Sequence, residues 1–244
     1  MLVRILLLLL LIILEFNYMK SLKVLVVGSN RGIGLELVKQ LSSKGHCVYA
    51  TCRSPNDDLN NINLNGGSII NDIDVGKDDT SSKLKSFFDG NKLDWVINNS
   101  GILEVESLDD MNYDAIRKQF EVNTLGPIRI YQGIENSLIS GSKMFIITSR
   151  MGSLADNTSG GMYGYRISKA GVNMVGKNLA EDLKKREIAV LLLHPGMVAT
   201  DMTARWGGGI STQESVGGLV ARMEESSMKN TGKFYHQNGD ELPW

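Results

Sequence analysis

The sequence predicts an α/β fold: one doubly wound domain, a mostly parallel sheet of about seven strands with helices on both faces. Three observations lead there. Apolar, β-branched runs alternate with stretches of helical periodicity, the runs are almost continuously apolar, and the first of them opens directly into a glycine-rich turn. Near-continuous apolar strands are those buried on both faces. A β-α-β-α order calls for right-handed crossovers and therefore a parallel sheet.

In chain order the strand-like runs are LKVLVVG (22–28), HCVYAT (46–51), SIINDI (68–73), LDWVIN (93–98), KMFIIT (143–148) and AVLLLH (189–194). Helix-like stretches lie at about 32–44, 77–89, 112–138 and 164–186. Pro55, Pro127, Pro195 and Pro243 mark loops or element ends, and no repeat or low-complexity linker divides the chain. Residues 19–244 therefore read as one domain, which a chain of 244 residues permits. Cys47 and Cys52 fall on opposite faces of the second run, roughly 17 Å apart, too far for a disulfide.

Charged residues make up 22% of the chain, with 26 basic against 27 acidic side chains, and 42% is apolar. That balance excludes a nucleic-acid-binding footprint and a disordered chain, and points to a small-molecule partner. His46, His194 and His236 are scattered without cysteine or acidic neighbours at metal-ligand spacing, so no metal is expected.

The first 18 residues stand apart from the domain. An unbroken apolar run from Ile5 to Leu14 follows a single arginine. It is short for a membrane span, which needs about 20 residues. It has the look of a signal-peptide core but no small-x-small cleavage site, and Met19 stands just before the first strand. Three readings stay open: a cytoplasmic enzyme starting at Met19, a membrane anchor making contact only through residues 1–18, or a secreted protein. Asn98-Asn99-Ser100 and Asn157-Thr158-Ser159 are glycosylation sequons, but a glycan at the first would block the crevice, which favours the cytoplasm.

In VVGSNRGIGLELV, Gly28, Gly32 and Gly34 follow the first strand and enter the first helix, with Asn30, Arg31 and Ile33 between them. Glycines let the backbone approach a pyrophosphate, and the helix start supplies amide donors and a favourable dipole. This is a Rossmann-type arrangement with GxxxGxG spacing. An NAD site usually carries an acid near the end of the second strand. Here that stretch reads TCRS, and Arg53 with Arg31 could meet a 2′-phosphate instead. NADP(H) is therefore expected over NAD(H).

Tyr165 is followed by Lys169 in YRISK, whereas Tyr163 is followed four residues later by Ile167. On a helix, i and i+4 share a face. A phenol has an unperturbed pKa near 10, and an ammonium about 4 Å away attracts its anion by about 4 kcal/mol at an effective dielectric of 20. Burial opposes that attraction. Tyr165 is the candidate proton donor.

With GSNRGIG, NNSG (98–101), EVNTLG (121–126), TSRMG (148–152), YRISK and HPGMVAT (194–200) in this order, residues 21–244 resemble the short-chain dehydrogenase/reductase family. GGMYGYR and the closing NGDELPW are similar to its compact subgroup of small carbonyl reductases, the sniffer and C-factor type. The resemblance implies an NADP(H)-dependent carbonyl reductase in which Asn123, Ser149, Tyr165 and Lys169 form a catalytic tetrad. It implies that Asn98, Asn99, Ser100 and Gly101 border the cofactor, that Asp74 and Val75 flank the adenine, and that Pro195, Gly196, Val198 and Thr200 meet the nicotinamide end. Ser149 would donate to the substrate carbonyl, Lys169 would also hold the ribose, and Asn123 would place a relay water.

The chain departs from the family pattern at Ser100, where alanine is usual, at the bulky Arg150 and Met151, and in a Ser149-to-Tyr165 interval three residues longer than typical. The extra length falls in ADNTSGG (155–161). The substrate lid is expected between Thr200 and Ser215, mobile at its three glycines, with Trp206 as the apolar substrate contact. Its shortness suits a small aldehyde, ketone or quinone. Met174, Val175, Ile116, Phe120 and Ile130 could build a homodimer face. Two rivals are weighed: a dinucleotide-binding sensor without turnover, which has no need of Tyr165 and Lys169 together, and an epimerase or dehydratase, for which too few residues follow Pro195.

Overall fold

A computed structural model of the chain describes residues 21–244. The apolar N-terminal segment and its three readings lie outside the described residues. Among those described, no helix is long and apolar enough to cross a membrane.

Seven strands form one sheet: β1 (Lys23–Val27), β2 (Cys47–Thr51), β3 (Ile69–Ile70), β4 (Leu93–Asn98), β5 (Leu138–Ile147), β6 (Ala189–His194) and β7 (Phe234–His236). Their order is β3-β2-β1-β4-β5-β6-β7, and every neighbouring pair is parallel. The chain leaves β1 toward β2 on one side and reaches β4 on the other. The switch point at which open α/β sheets bind ligands thus lies beyond the carboxyl ends of β1 and β4.

Two apolar layers cover the sheet. On one face, α1 (Gly32–Ser43) and α7 (Thr212–Glu224) bury Leu37, Val38, Leu41, Val216, Leu219 and Met223 against Val24, Val26 and Phe145. On the other, α3 (Thr80–Phe88), α5 (Gly126–Ile134) and α6 (Tyr163–Asp182) bury Leu84, Phe88, Ile130, Ile134, Val172 and Leu179 against Leu25, Val27 and Val96. Ile130 is fully buried in this second layer, so it belongs to the core and not to a dimer face.

The helix expected over 112–138 is interrupted. It runs as α4 (Tyr113–Phe120), then a π-helical turn (Glu121–Leu125), then α5, which has Pro127 in its first turn. A proline there is pre-organised for a helix start. A four-residue helix, α2 (Asp57–Asn60), was not anticipated from periodicity. Nor were α7 and β7, although Ser211 caps α7 by accepting the Glu214 amide at 3.0 Å. Cys47 is half-buried, while Cys52 packs with Val48 and Ala50 on the opposite face, and both thiols are free.

Candidate active site

A crevice of about 670 Å³ opens at the switch point. It is lined by Gly28, Asn30, Arg31, Gly32, Ile33, Arg53, Asp74, Val75, Asn99, Ser100, Gly101, Tyr165, Lys169, Pro195 and Thr200, fifteen of the positions singled out from sequence. Sequence reasoning missed several lining residues, among them Cys52, Gly76, Lys118, Val122, Thr148 and Met202. Gly76 and Val122 are each within one or two residues of a position already chosen, so spacing pointed near them.

The glycine loop is shaped by close approach. A Cβ on Gly34 would run into the Gly28 carbonyl oxygen, and one on Gly28, at φ 81°, would lie 2.7 Å from Ser100 Oγ. Ser100, the departure from alanine, is thus folded against the loop. Asn99 Nδ2 donates to the Gly28 carbonyl at 2.9 Å, and Asn56 Nδ2 to the Asn30 carbonyl at 2.8 Å. These bonds hold open a concave backbone surface that side chains would fill, which suits a pyrophosphate. Asn98 sits beneath this surface, buried in β4, with its Oδ1 unpartnered among the described residues.

Arg31 reaches across the crevice to Asp201, with Nη1 3.6 Å from Oδ2 and both side chains largely exposed. Arg53 faces the cavity at the end of β2. Beside Val75, Arg129 of α5 forms a knot. Its guanidinium donates to Asp78 Oδ1 at 2.8 Å and Glu121 Oε2 at 2.7 Å, and to the carbonyls of Val75 at 3.3 Å and Glu121 at 3.1 Å. It thereby fastens the loop after β3 to the π-helical turn.

That turn aims Asn123 inward, as π-bulges at functional sites do. Asn123 Oδ1 accepts the Ile102 amide at 2.8 Å, and Nδ2 donates to the Ile102 carbonyl and Ser168 Oγ, both at 2.9 Å. A Cβ on Gly101 would lie 3.4 Å from Asn123 Oδ1 and 3.6 Å from Lys169 Nζ, so the two side chains converge there. Lys169 Nζ donates to the Ile147 carbonyl at 3.1 Å and stands 5.7 Å from the Tyr165 ring centre. Ser149, just beyond β5, accepts the Met151 amide at 3.2 Å and stands near enough to the Tyr165 phenol to act on its ionisation. Its turn is seated on α6, where a Cβ on Gly152 would lie 2.5 Å from the Lys169 backbone.

Asn123 and Ser149 stand behind the cavity wall that Tyr165 and Lys169 form. Gly196 and Val198 shape the chain beyond β6: Val198 bridges Ile210, closing the base of the expected lid. Trp206 does not reach the cavity. It is 45% exposed under Arg205, and Met202 lines the cavity from the same segment.

Burial governs the electrostatics. Tyr165 is pushed up to about 12 by desolvation, which the Ser149 hydrogen bond only partly opposes. Lys169 is pulled down to about 8 by the same cause. Burial thus leaves the phenol less acidic than an ordinary tyrosine, against the acidification expected from its lysine. His194 is driven down to about 3 by burial, then by His236, Arg150 and Lys169, and stays neutral.

These shifts have a testable sign. Between pH 8 and 10 an unfolded Lys169, with an ordinary value of 10.5, binds more protons than the folded one, so its contribution to stability rises with pH. Above pH 10 the raised Tyr165 acts oppositely, because the unfolded phenol ionises first. Urea unfolding of wild type and Lys169→Met at pH 8, 9 and 10 is expected to show wild type gaining about 2 kcal/mol relative to the variant. A constant difference would contradict the burial of a charged ammonium.

Residues 22–209 match the short chain dehydrogenase family profile. The chain belongs to that family. Short chain dehydrogenases are oxidoreductases that bind a nicotinamide dinucleotide. Over 226 residues, 91% of this chain and 99% of the relative, it is 40% identical to a Rhodococcus 1-hydroxy-2-glutathionyl-2-methyl-3-butene dehydrogenase. Two solved structures are similar throughout. The NADPH-bound carbonyl reductase from chicken fatty liver superposes with a TM-score of 0.83 at 27% identity, covering 93% of this chain and 100% of that one. The carbonyl reductase Sniffer of D. melanogaster gives 0.84 at 28%, covering 92% and 100%.

Proposed function

We propose that this short chain dehydrogenase is an NADPH-dependent reductase of small carbonyl compounds, with Tyr165 as the proton donor. The observation that carries the reading is that Tyr165 and Lys169 line the inner wall of a crevice whose outer wall is the glycine loop, with Ser149 beside the Tyr165 phenol. The dinucleotide, when bound, supplies the hydride.

The rest falls to side chains of this protein. Arg53, at the end of β2 where no acid stands, would hold a 2′-phosphate, and Arg31 could join it by leaving Asp201. Asp74 and Val75 would flank the adenine, while Pro195 and Thr200 would border the nicotinamide end. Ser149 would donate to the substrate oxygen as charge develops there. The carbonyl reductase relatives, one of them NADPH-bound, support the same reading.

The protonated phenol suits the role of donor. A hydroxyl held near 12 is still far more acidic than the alcohol that an alkoxide becomes on taking its proton, so donation to the reduced substrate is downhill. Serving as the base for alcohol oxidation would first require ionising a buried phenol. The apolar Met202 on the cavity wall, with Met197 and Trp206 half-exposed nearby in sequence, suits small apolar aldehydes, ketones or quinones. The test is NADPH oxidation against such a panel, with Tyr165→Phe as control.

We also infer a homodimer through α4 and α6. Tyr113 and Phe120 on α4, and Ile167 and Met174 on α6, are exposed at seven-residue spacing, so each pair shares one helix face. Met174→Asp is expected to convert a dimer to a monomer in sedimentation velocity without lowering Tm by more than a few degrees. A wild type that sediments as a monomer would remove this inference.

A further inference from the structure

Helix α6 carries both Tyr165 and Lys169, yet it lacks the usual means of holding a helix start. Its N-cap, Met162, provides no side-chain hydrogen bond and sits in the left-handed region at φ 50°, and the first turn contains no acid. The free amide of Gly164, the second residue of the helix, is met from elsewhere in the chain. Glu106 Oε2 accepts it at 3.1 Å, and the Glu106 carbonyl accepts the Met162 amide at 3.1 Å. Glu106 Oε1 accepts Gln119 Nε2 of α4 at 2.6 Å, and Gln119 Oε1 accepts the Glu104 amide at 3.0 Å.

Glu106 is 3% exposed and Gln119 fully buried, and neither has a cation partner among the described residues. A carboxylate buried without a cation is costly. At a helix start, amide donors and the positive end of the helix dipole offset that cost. Gly164 makes the room: a Cβ there would lie 2.5 Å from Gln119 Nε2 and 2.9 Å from Glu106 Oε1.

We propose that Glu106 is a positioning residue for Tyr165, capping α6 from outside the helix and fixing its start one residue ahead of the phenol. The inference rests on the reading of Tyr165 as the proton donor. Glu106 does not line the crevice and acts only through the helix.

The test uses the full chain and two variants. In Glu106→Gln the new amide oxygen can still accept from Gly164, but its NH2 then faces Gln119 Nε2, donor against donor. The reciprocal swap, Glu106→Gln with Gln119→Glu, restores every bond, because the carboxylate now on α4 accepts from both the new amide and Glu104. Glu106→Gln is expected to lower kcat about 10- to 100-fold, the scale of a misplaced reacting group. NADPH Kd should stay within about twofold, and the swap should return kcat to within about threefold of wild type. Wild-type kcat in Glu106→Gln overturns the proposal, and so does a folded swap that stays slow. Loss of NADPH affinity in step with kcat, or failure of both variants to fold, makes Glu106 a general structural residue and overturns it equally. Tyr165→Phe, assayed alongside, separates the two levels. If it keeps full turnover the reading of the donor fails, whereas if it alone is slow only the role of Glu106 fails.

Discussion

Tyr165→Phe is expected to lower kcat for carbonyl reduction by about 10²- to 10⁴-fold, the range a positioned proton donor contributes, while NADPH Kd stays within about twofold. The substitution removes a single hydroxyl. Tyr165 is 8% exposed, and its ring packs at the start of α6, so phenylalanine keeps the helix and the cavity wall in place. What disappears is the phenolic hydroxyl on that wall, which the proposed mechanism uses to pass a proton to the developing alkoxide. Lys169 already donates to the Ile147 carbonyl at 3.1 Å. Turnover read at 340 nm and binding read by titration calorimetry separate the two quantities. A variant retaining more than about half of wild-type kcat would exclude Tyr165 as the donor.

Arg53→Glu is expected to raise the Kd for NADPH by about 10²-fold and to leave NADH unchanged or improved. Arg53 faces the crevice at the end of β2. Hydrogen bonds to a charged group contribute about 1.5–3 kcal/mol, and the new carboxylate would repel a 2′-phosphate while accepting from a ribose 2′-hydroxyl. Two-ligand titration reads the outcome, and equal losses for the two dinucleotides would show that Arg53 takes no part in the choice. Arg31 is the smaller contributor, since it must first leave Asp201, though an exposed pair at 3.6 Å holds it only weakly.

What the sequence made legible was local. The glycine loop, YRISK and the six long apolar runs announce themselves through spacing of a few residues, and the sheet and crevice follow from them. Contacts between distant segments were not legible. The π-helical turn that directs Asn123 inward looks in sequence like part of one long helix over 112–138. Ile130 has the periodicity of an exposed or a buried helix face, and only packing against α3 and the sheet decides that it is core. Spacing put Lys169 one turn from Tyr165, but it could not reveal that both would be buried enough for desolvation to govern their ionisation. Trp206 was the obvious apolar candidate by size, yet from that segment it is Met202 that lines the cavity. The Ser211 cap of α7 lies in STQE, ahead of Val216, Leu219, Val220 and Met223 at helical spacing, yet that helix was not anticipated.

The guanidinium of Arg129 bonds the Val75 carbonyl, Asp78 and Glu121 at once, so the Val75 side of the crevice and the turn carrying Asn123 share a single fastening. Injury to that one residue would spread to both ends of the crevice. An enzyme so damaged would bind poorly and turn over poorly together, imitating a lesion among the reacting groups although the injured side chain never meets a ligand.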